Sequence, residues 1–262
     1  MKNLGLQLLV VFISLIVVGT LLQDPQQKLT EEMEARKLIA QNISHDDQLQ
    51  IGQTGAAIAL GGLRSLVAAV ANLTAFTDYG KDDWIGVEKN YNLAVTLQPN
   101  NTYYWGNAGW HMAYNAYHDY EFKLDLSPAR RSLKQKFYLQ KGEDFFLRGV
   151  KQNPDSVSLW RELGRLFTSS HKPFDFPKAA AYFKSATECS NSIERDKRSY
   201  FYALARVPGA EKEAYEYGKK LIADKHDAAT LHSTYFALSL INDPKLLESD
   251  ELIKEVFKGD KY

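Results

Sequence analysis

The polar and apolar positions divide the chain into three stretches. Residues 4–22, LGLQLLVVFISLIVVGTLL, carry no charge and only Gln7, Ser14 and Thr20 as polar interruptions. Residues 23–53 are polar, but Leu29, Met33 and Leu38 recur at roughly helical spacing within LTEEMEARKLIAQ. That spacing predicts one short helix in a linker. From Thr54 onward the apolar residues recur with a helical period almost throughout. No stretch alternates steadily and no Asn-Gly hairpin turn occurs, so an all-α domain over 54–262 is expected.

The first stretch has the length of a membrane span. Nineteen residues at about 1.5 Å each reach nearly 30 Å, the thickness of a hydrocarbon core. A cleaved secretory signal has a shorter apolar region followed by a small-x-small site. Here Leu21 and Leu22 run directly into Gln23. The reading is an uncleaved signal anchor over 1–23, with a polar linker over 24–53. Lys2 and the α-amino group precede the span, whereas Asp24, Glu31, Glu32 and Glu34 follow it against Lys28, Arg36 and Lys37. The positive end stays inside, so the bulk domain is expected outside the cytoplasm.

Within the third stretch Thr54 is placed to cap a helix over GAAIALGGLRSLVAAVANLTAFTD. Arg64, Asn72 and a Gly-Gly pair interrupt its apolar run, so a buried helix is expected rather than a second span. Ala57, Gly61, Ser65 and Ala68 fall near one face and admit a close neighbour; Arg64 is expected to pair with an interior carboxylate. Ser127-Pro128 and Asp243-Pro244 each set a cap residue before a proline at the first helical position. Asp82 or Asp83, Ser156 and Asp227 are further caps.

Three segments align with one another: VEKNYNLAVTLQP, GEDFFLRGVKQNP and AAAYFKSATECSN. They place Val87, Gly142 and Ala179 in one column, then Tyr91, Phe146 and Phe183, then Ala94, Gly149 and Ala186. Pro99, Pro154 and Asn191 follow. Six residues after each proline comes a tryptophan, in WGNAGWHM (Trp105, Ala108, Gly109, Met112) and in WRELGRLF (Trp160, Leu163, Gly164, Phe167). The small–aromatic–small pattern with its proline resembles the second helix of a tetratricopeptide repeat, and the tryptophan segments resemble W-x2-L-G-x2-Y of the first helix. The likeness covers roughly residues 83–191. RDKRSYFYALARV and EKEAYEYGKKLIA extend it to 226 as a degraded copy, with Ala214, Gly218 and Leu221 in the columns; residues 228–257 supply closing helices. Pro99 and Pro154 are 55 residues apart, against the family's usual 34. The excess predicts one enlarged hairpin whose second helix runs from Ser127-Pro128 to about Gln152. The anchor followed by GGLRSLVA, LQP and WHMAYNA also resembles membrane-anchored bacterial repeat proteins without assigned biochemistry. That likeness implies a bacterial inner-membrane protein with a periplasmic domain.

The resemblance implies an α-solenoid of antiparallel helix pairs whose first helices line a concave groove. Its groove positions fall on Tyr103, Gly106, Asn107, Trp110 and Tyr114, and on Ser158, Arg161, Glu162, Arg165 and Ser169. Trp105, Ala108, Gly109 and Met112 fall in the core. Tyr103, Asn107, Trp110, Tyr114, Arg161 and Arg165 are the candidate partner contacts, because aromatics beside arginines compose many protein-binding hot spots. The Lys and Asn pattern of the family's carboxylate clamp is not reproduced. The expected role is a membrane-anchored adaptor or scaffold that holds a peptide or protein partner. The alternative is a glycan or cell-wall binder in which Tyr103, Trp110 and Tyr114 stack on sugar rings.

Charge and chemistry change this picture little. Lys plus Arg and Asp plus Glu number 32 each, so no overall positive field draws nucleic acid. The single cysteine, Cys189, excludes an intramolecular disulfide and reads as a small buried residue. Asn42, Asn72 and Asn100 begin N-x-S/T triplets, which matter only in a glycosylating compartment. There is no P-loop, G-x-S-x-G or H-E-x-x-H. SSHK at 169–172 holds Ser-x-x-Lys without the companion motifs of that active site. His111, Asn115 and His118 share a helix face, but two histidines need further ligands to hold a metal. The chain is therefore read as a non-enzyme without cofactor or metal, a metal-dependent activity at His111 and His118 being the weaker possibility.

Overall fold

The computed structural model describes residues 28, 32, 35, 36, 63–226 and 228–243. The anchor, the cap at Thr54, Asn42, Asp227 and the chain after Asp243 lie outside the described residues. In the linker, residues 32 and 35 are helical, and Arg36 bonds Glu32 through both main chain and side chain, at 3.0 and 2.5 Å.

From Leu63 on, the described residues form helices and short turns. These are α1 Arg64–Tyr79, α2 Trp84–Leu97, α3 Thr102–Trp110, a π-helical segment His111–Ala116, α4 Tyr117–Phe122 and α5 Pro128–Gln152. They continue with α6 Val157–Leu166, α7 Phe176–Glu188, α8 Glu194–Leu204, α9 Glu211–Ala223 and α10 Ala229–Asn242. None of the described helices is long and apolar enough to cross a membrane. Neighbours in sequence pack as pairs: α1 with α2, the run α3–π–α4 with α5, α6 with α7, and α8 with α9, on which α10 closes. Successive pairs stack through α2–α3, α5–α6 and α7–α8. Among the described residues the architecture is an all-α stack of helix pairs.

Local chemistry sets the helix starts. Asp83 accepts from the Gly86 N–H at 3.0 Å, Asn101 from Tyr103 at 3.2 Å, and Asp175 from Lys178 at 3.0 Å. Each satisfies an N–H that the helix itself leaves without a partner. Ser127 accepts from Arg130 at 3.4 Å ahead of Pro128, as its sequence suggests. Ser156 stands at the start of α6, but its hydroxyl lies against Ser158 and caps nothing. Asp82 takes the turn instead of the cap, at φ 55°.

The repeat columns are packing positions. Trp105 donates its indole N–H to the Pro99 carbonyl at 2.8 Å, and Trp160 does the same to Pro154 at 2.9 Å. The ring of Phe146 fills the space over Gly109, and that of Phe183 the space over Gly164. Trp105, Ala108, Gly109 and Met112 are buried, in the core as expected. Arg64 donates to the Leu97 carbonyl at 2.9 Å.

The second pair is the enlarged one. Its α5 has 25 residues, about 37 Å at 1.5 Å each. The opposing strand of the hairpin is one continuous helical run with a π segment in the middle. A π turn takes an extra residue into the helix and shifts every side chain beyond it around the axis.

Candidate functional site

The predicted contacts fall on α3, the π segment and α6, in unequal surroundings. Tyr103 and Trp110 sit two turns apart on α3 and remain 59% and 45% exposed. Asn107 lies between them, half-buried, with its side chain on the hydroxyl of Tyr91. Burial, with a contribution from Tyr103, pushes Tyr91 up to about 12.

Tyr114 falls within the π segment and is half-buried. The ammonium of Lys172 sits 3.4 Å from the centre of its ring and 5.4 Å from that of Tyr117. Lys172 is itself buried, and burial brings it down to about 8. Tyr114 goes up to about 12, by burial first and then by Glu162, with Arg165 opposing. So Tyr114 links the π segment to Lys172 through its ring and to Glu162 and Arg165 of α6 through their charges. The lysine belongs to the Ser-x-x-Lys tetrad; its ammonium packs on the two tyrosine rings, and its main-chain N–H donates to the Ser169 carbonyl at 3.1 Å.

Arg161 departs from the expectation of a free groove arginine. Its Nε and Nη2 both engage the carboxylate of Asp196, the second bond at 2.7 Å. Burial alone would push Asp196 up, but Arg161 and the Ile193 N–H hold its carboxyl below the usual range. The pair ties α6 to the start of α8. Arg165 is exposed and pairs along its own helix with Glu162 at 2.5 Å.

Sequence reasoning missed the neighbour of Arg165. A pocket of about 550 Å³ opens between α6, the loop before α7, and α8. Arg165 and Arg206 stand in its lining with Phe174, Phe176 and Tyr202, and its lining includes no carboxylate. Phe174 and Phe176 stack 5.4 Å apart at 12°, and Arg206 lies 5.7 Å from the centre of Phe176. The degraded fourth repeat hid Tyr202 and Arg206. Tyr202 lies in the last turn of α8 and Arg206 in the turn after it, where its guanidinium donates to the Tyr202 carbonyl at 2.8 Å.

His111 and His118 have separate surroundings. His111 is buried between Tyr79, at 4.8 Å, and Tyr91, at 5.5 Å, and its Nδ1 lies 3.0 Å from the Asn115 amide. Burial lowers it to about 4, which keeps it uncharged at neutral pH. His118 is exposed, 3.1 Å from Glu121 and edge-on to Phe122. No group of three potential metal ligands occurs among the described residues. Cys189 is buried with Val157 and Ala186.

Compared with known proteins, the chain matches no family model and no curated protein. Among solved structures it is similar to the crystal structure of MamA protein, at 16% identity over 70% of this chain and 96% of that one, with a TM-score of 0.26. Likeness at that level carries no argument about the surface described above, and the helical repeat architecture rests on the packing of this chain's own pairs.

Proposed function

We propose that this protein is a binding scaffold that takes an extended segment of a partner protein along α3, α6 and α8. The observation that carries the reading is the pocket between Arg165 and Arg206. It pairs two guanidinium groups with stacked aromatic rings and has no carboxylate of its own in its lining. Such a surface favours a segment with an acidic residue beside an aromatic or proline one. Tyr103, Asn107, Trp110 and the exposed edge of Tyr114 extend the same surface along α3. Arg161 contributes by fixing α8 through Asp196. The proposal includes the anchor expected from residues 4–22, which would hold the scaffold at a membrane with its repeats outside the cytoplasm.

The test is a crosslinking pull-down from membranes with wild type, Trp110→Ala/Arg165→Ala and Arg206→Ala. The expected result is one abundant protein that both variants lose and that salt weakens. An identical set of captured proteins from all three would overturn the groove reading. Capture of glycan instead, insensitive to salt, would favour stacking of sugar rings on Tyr103 and Trp110.

A further inference from the structure

The enlarged hairpin ends in a surface that the groove does not use. Its outer ties to the first pair are Trp84 to Asp119 at 2.6 Å and Lys141 to Glu88 at 2.6 Å. Beyond Asp119 and Tyr138 no hydrogen bond or ion pair leaves the hairpin among the described residues. The free end comprises the last turn of α4, the turn at 123–127 and the first ten residues of α5, which alone extend about 15 Å.

This end combines two properties that rarely coincide without use. Phe122, Leu124 and Leu133 point outward at 63%, 82% and 68% exposure, with Phe137 one turn beyond Leu133. Around them the chain is basic. Residues 123–141 contain six Lys and Arg and one acidic residue, Asp125, in a protein with 32 of each sign. Arg130, Lys134 and Lys136 are exposed and make no ion pair among the described residues, while Lys123 is held by Asp119 at 3.1 Å. Glu121, the other acid at the tip, faces His118.

We propose that this tip docks on an anionic lipid surface, with Phe122, Leu124 and Leu133 entering the headgroup boundary. At this end the exposed apolar side chains and these cations alternate along the chain, Arg130 standing between Leu124 and Leu133 and Lys134 directly after Leu133. An acidic protein would have to supply a matching cavity, whereas an anionic bilayer offers negative headgroups and hydrocarbon side by side at its boundary. Apolar insertion and electrostatic attraction then add, as for interfacial segments generally. The proposal is independent of the groove reading and uses none of its residues.

The test uses the full chain with Cys189→Ser and Leu124→Cys, the new thiol carrying an environment-sensitive fluorophore. The protein is reconstituted into phosphatidylcholine vesicles with or without phosphatidylglycerol, so that any N-terminal anchoring is common to both. The expected result is a blue-shifted signal, quenched by bromine-labelled acyl chains, in the phosphatidylglycerol vesicles only. Arg130→Glu/Lys134→Glu/Lys136→Glu should lower the ratio of inserted to free tip on the order of a hundredfold at low salt, with helix content by circular dichroism unchanged. A water-like signal in both vesicles would overturn the proposal. So would equal insertion in both, or a shift seen only on native membranes that still carry their proteins.

Discussion

The ring of Phe146 lies so close over Gly109 that a β-carbon there would come within 2.5 Å of its Cζ atom. The same relationship recurs between Phe183 and Gly164, at 2.6 Å. Phe146 and Phe183 are buried against the helices that carry these glycines, so neither ring has room to retreat. Gly109→Ala and Gly164→Ala should each lower stability by about 1–3 kcal/mol through overpacking, despite the better helix propensity of alanine. Urea unfolding followed by circular dichroism measures this. An unchanged midpoint in both variants would mean that the rings are not confined.

Arg161 and Asp196 hold the third and fourth pairs together from a nearly closed site, Asp196 being 1% exposed. Removing the arginine leaves a carboxylate in a place that water barely reaches. Arg161→Ala should cost about 3 kcal/mol, and Arg161→Ala/Asp196→Asn should recover part of that loss. A double-mutant cycle on thermal unfolding gives the coupling directly. Additive losses would show that the two groups act separately. The same argument makes Arg165 and Arg206, rather than Arg161, the proper subjects for binding experiments.

Repetition made the stack readable in the sequence. The tryptophans six residues after Pro99 and Pro154, the glycine columns and Ser127-Pro128 all report local packing or main-chain chemistry, so spacing alone locates them. Side-chain partners across pairs were not readable. Arg161 looks free on α6, and only the fold brings Asp196 to it. Lys172 looks like a loop residue, yet it closes over Tyr114. The π segment left no mark either, because one extra residue in a helical run hardly alters the order of apolar positions in HMAYNA. His111 and His118, which an ideal helix places on one face, have separate surroundings on either end of that segment.

Lys172 should respond to alkali. Its ammonium is buried over Tyr114, and burial lowers it to about 8, while the unfolded chain keeps it near 10.4. Between these values the unfolded chain binds more protons than the folded one, so this group's contribution to stability rises with pH. Lys172→Met removes the charge and keeps the packing volume. The variant should melt higher than wild type at pH 7, with a smaller gap at pH 9.5. Calorimetry at the two pH values checks this, and a lower melting temperature for the variant at pH 7 would show that attraction to the ring outweighs burial.

His111 should set an acid limit. Stacked on Tyr91 and edge-on to Tyr79, it is lowered to about 4 by burial, whereas the unfolded chain takes up its proton near 6.5. Above 6.5 both states are neutral at this residue and its packing contributes in full. As pH falls from 6.5 toward 4, only the unfolded state gains the proton, and stability declines. The loss from this residue between pH 7 and pH 5 should be about 2 kcal/mol. His111→Phe keeps a ring between the two tyrosines and loses only the bond to Asn115. Its urea midpoint should therefore fall less than that of wild type over the same interval. Equal acid sensitivity in the two proteins would mean that the imidazole finds water or a carboxylate on protonation, and that the π segment opens to admit it.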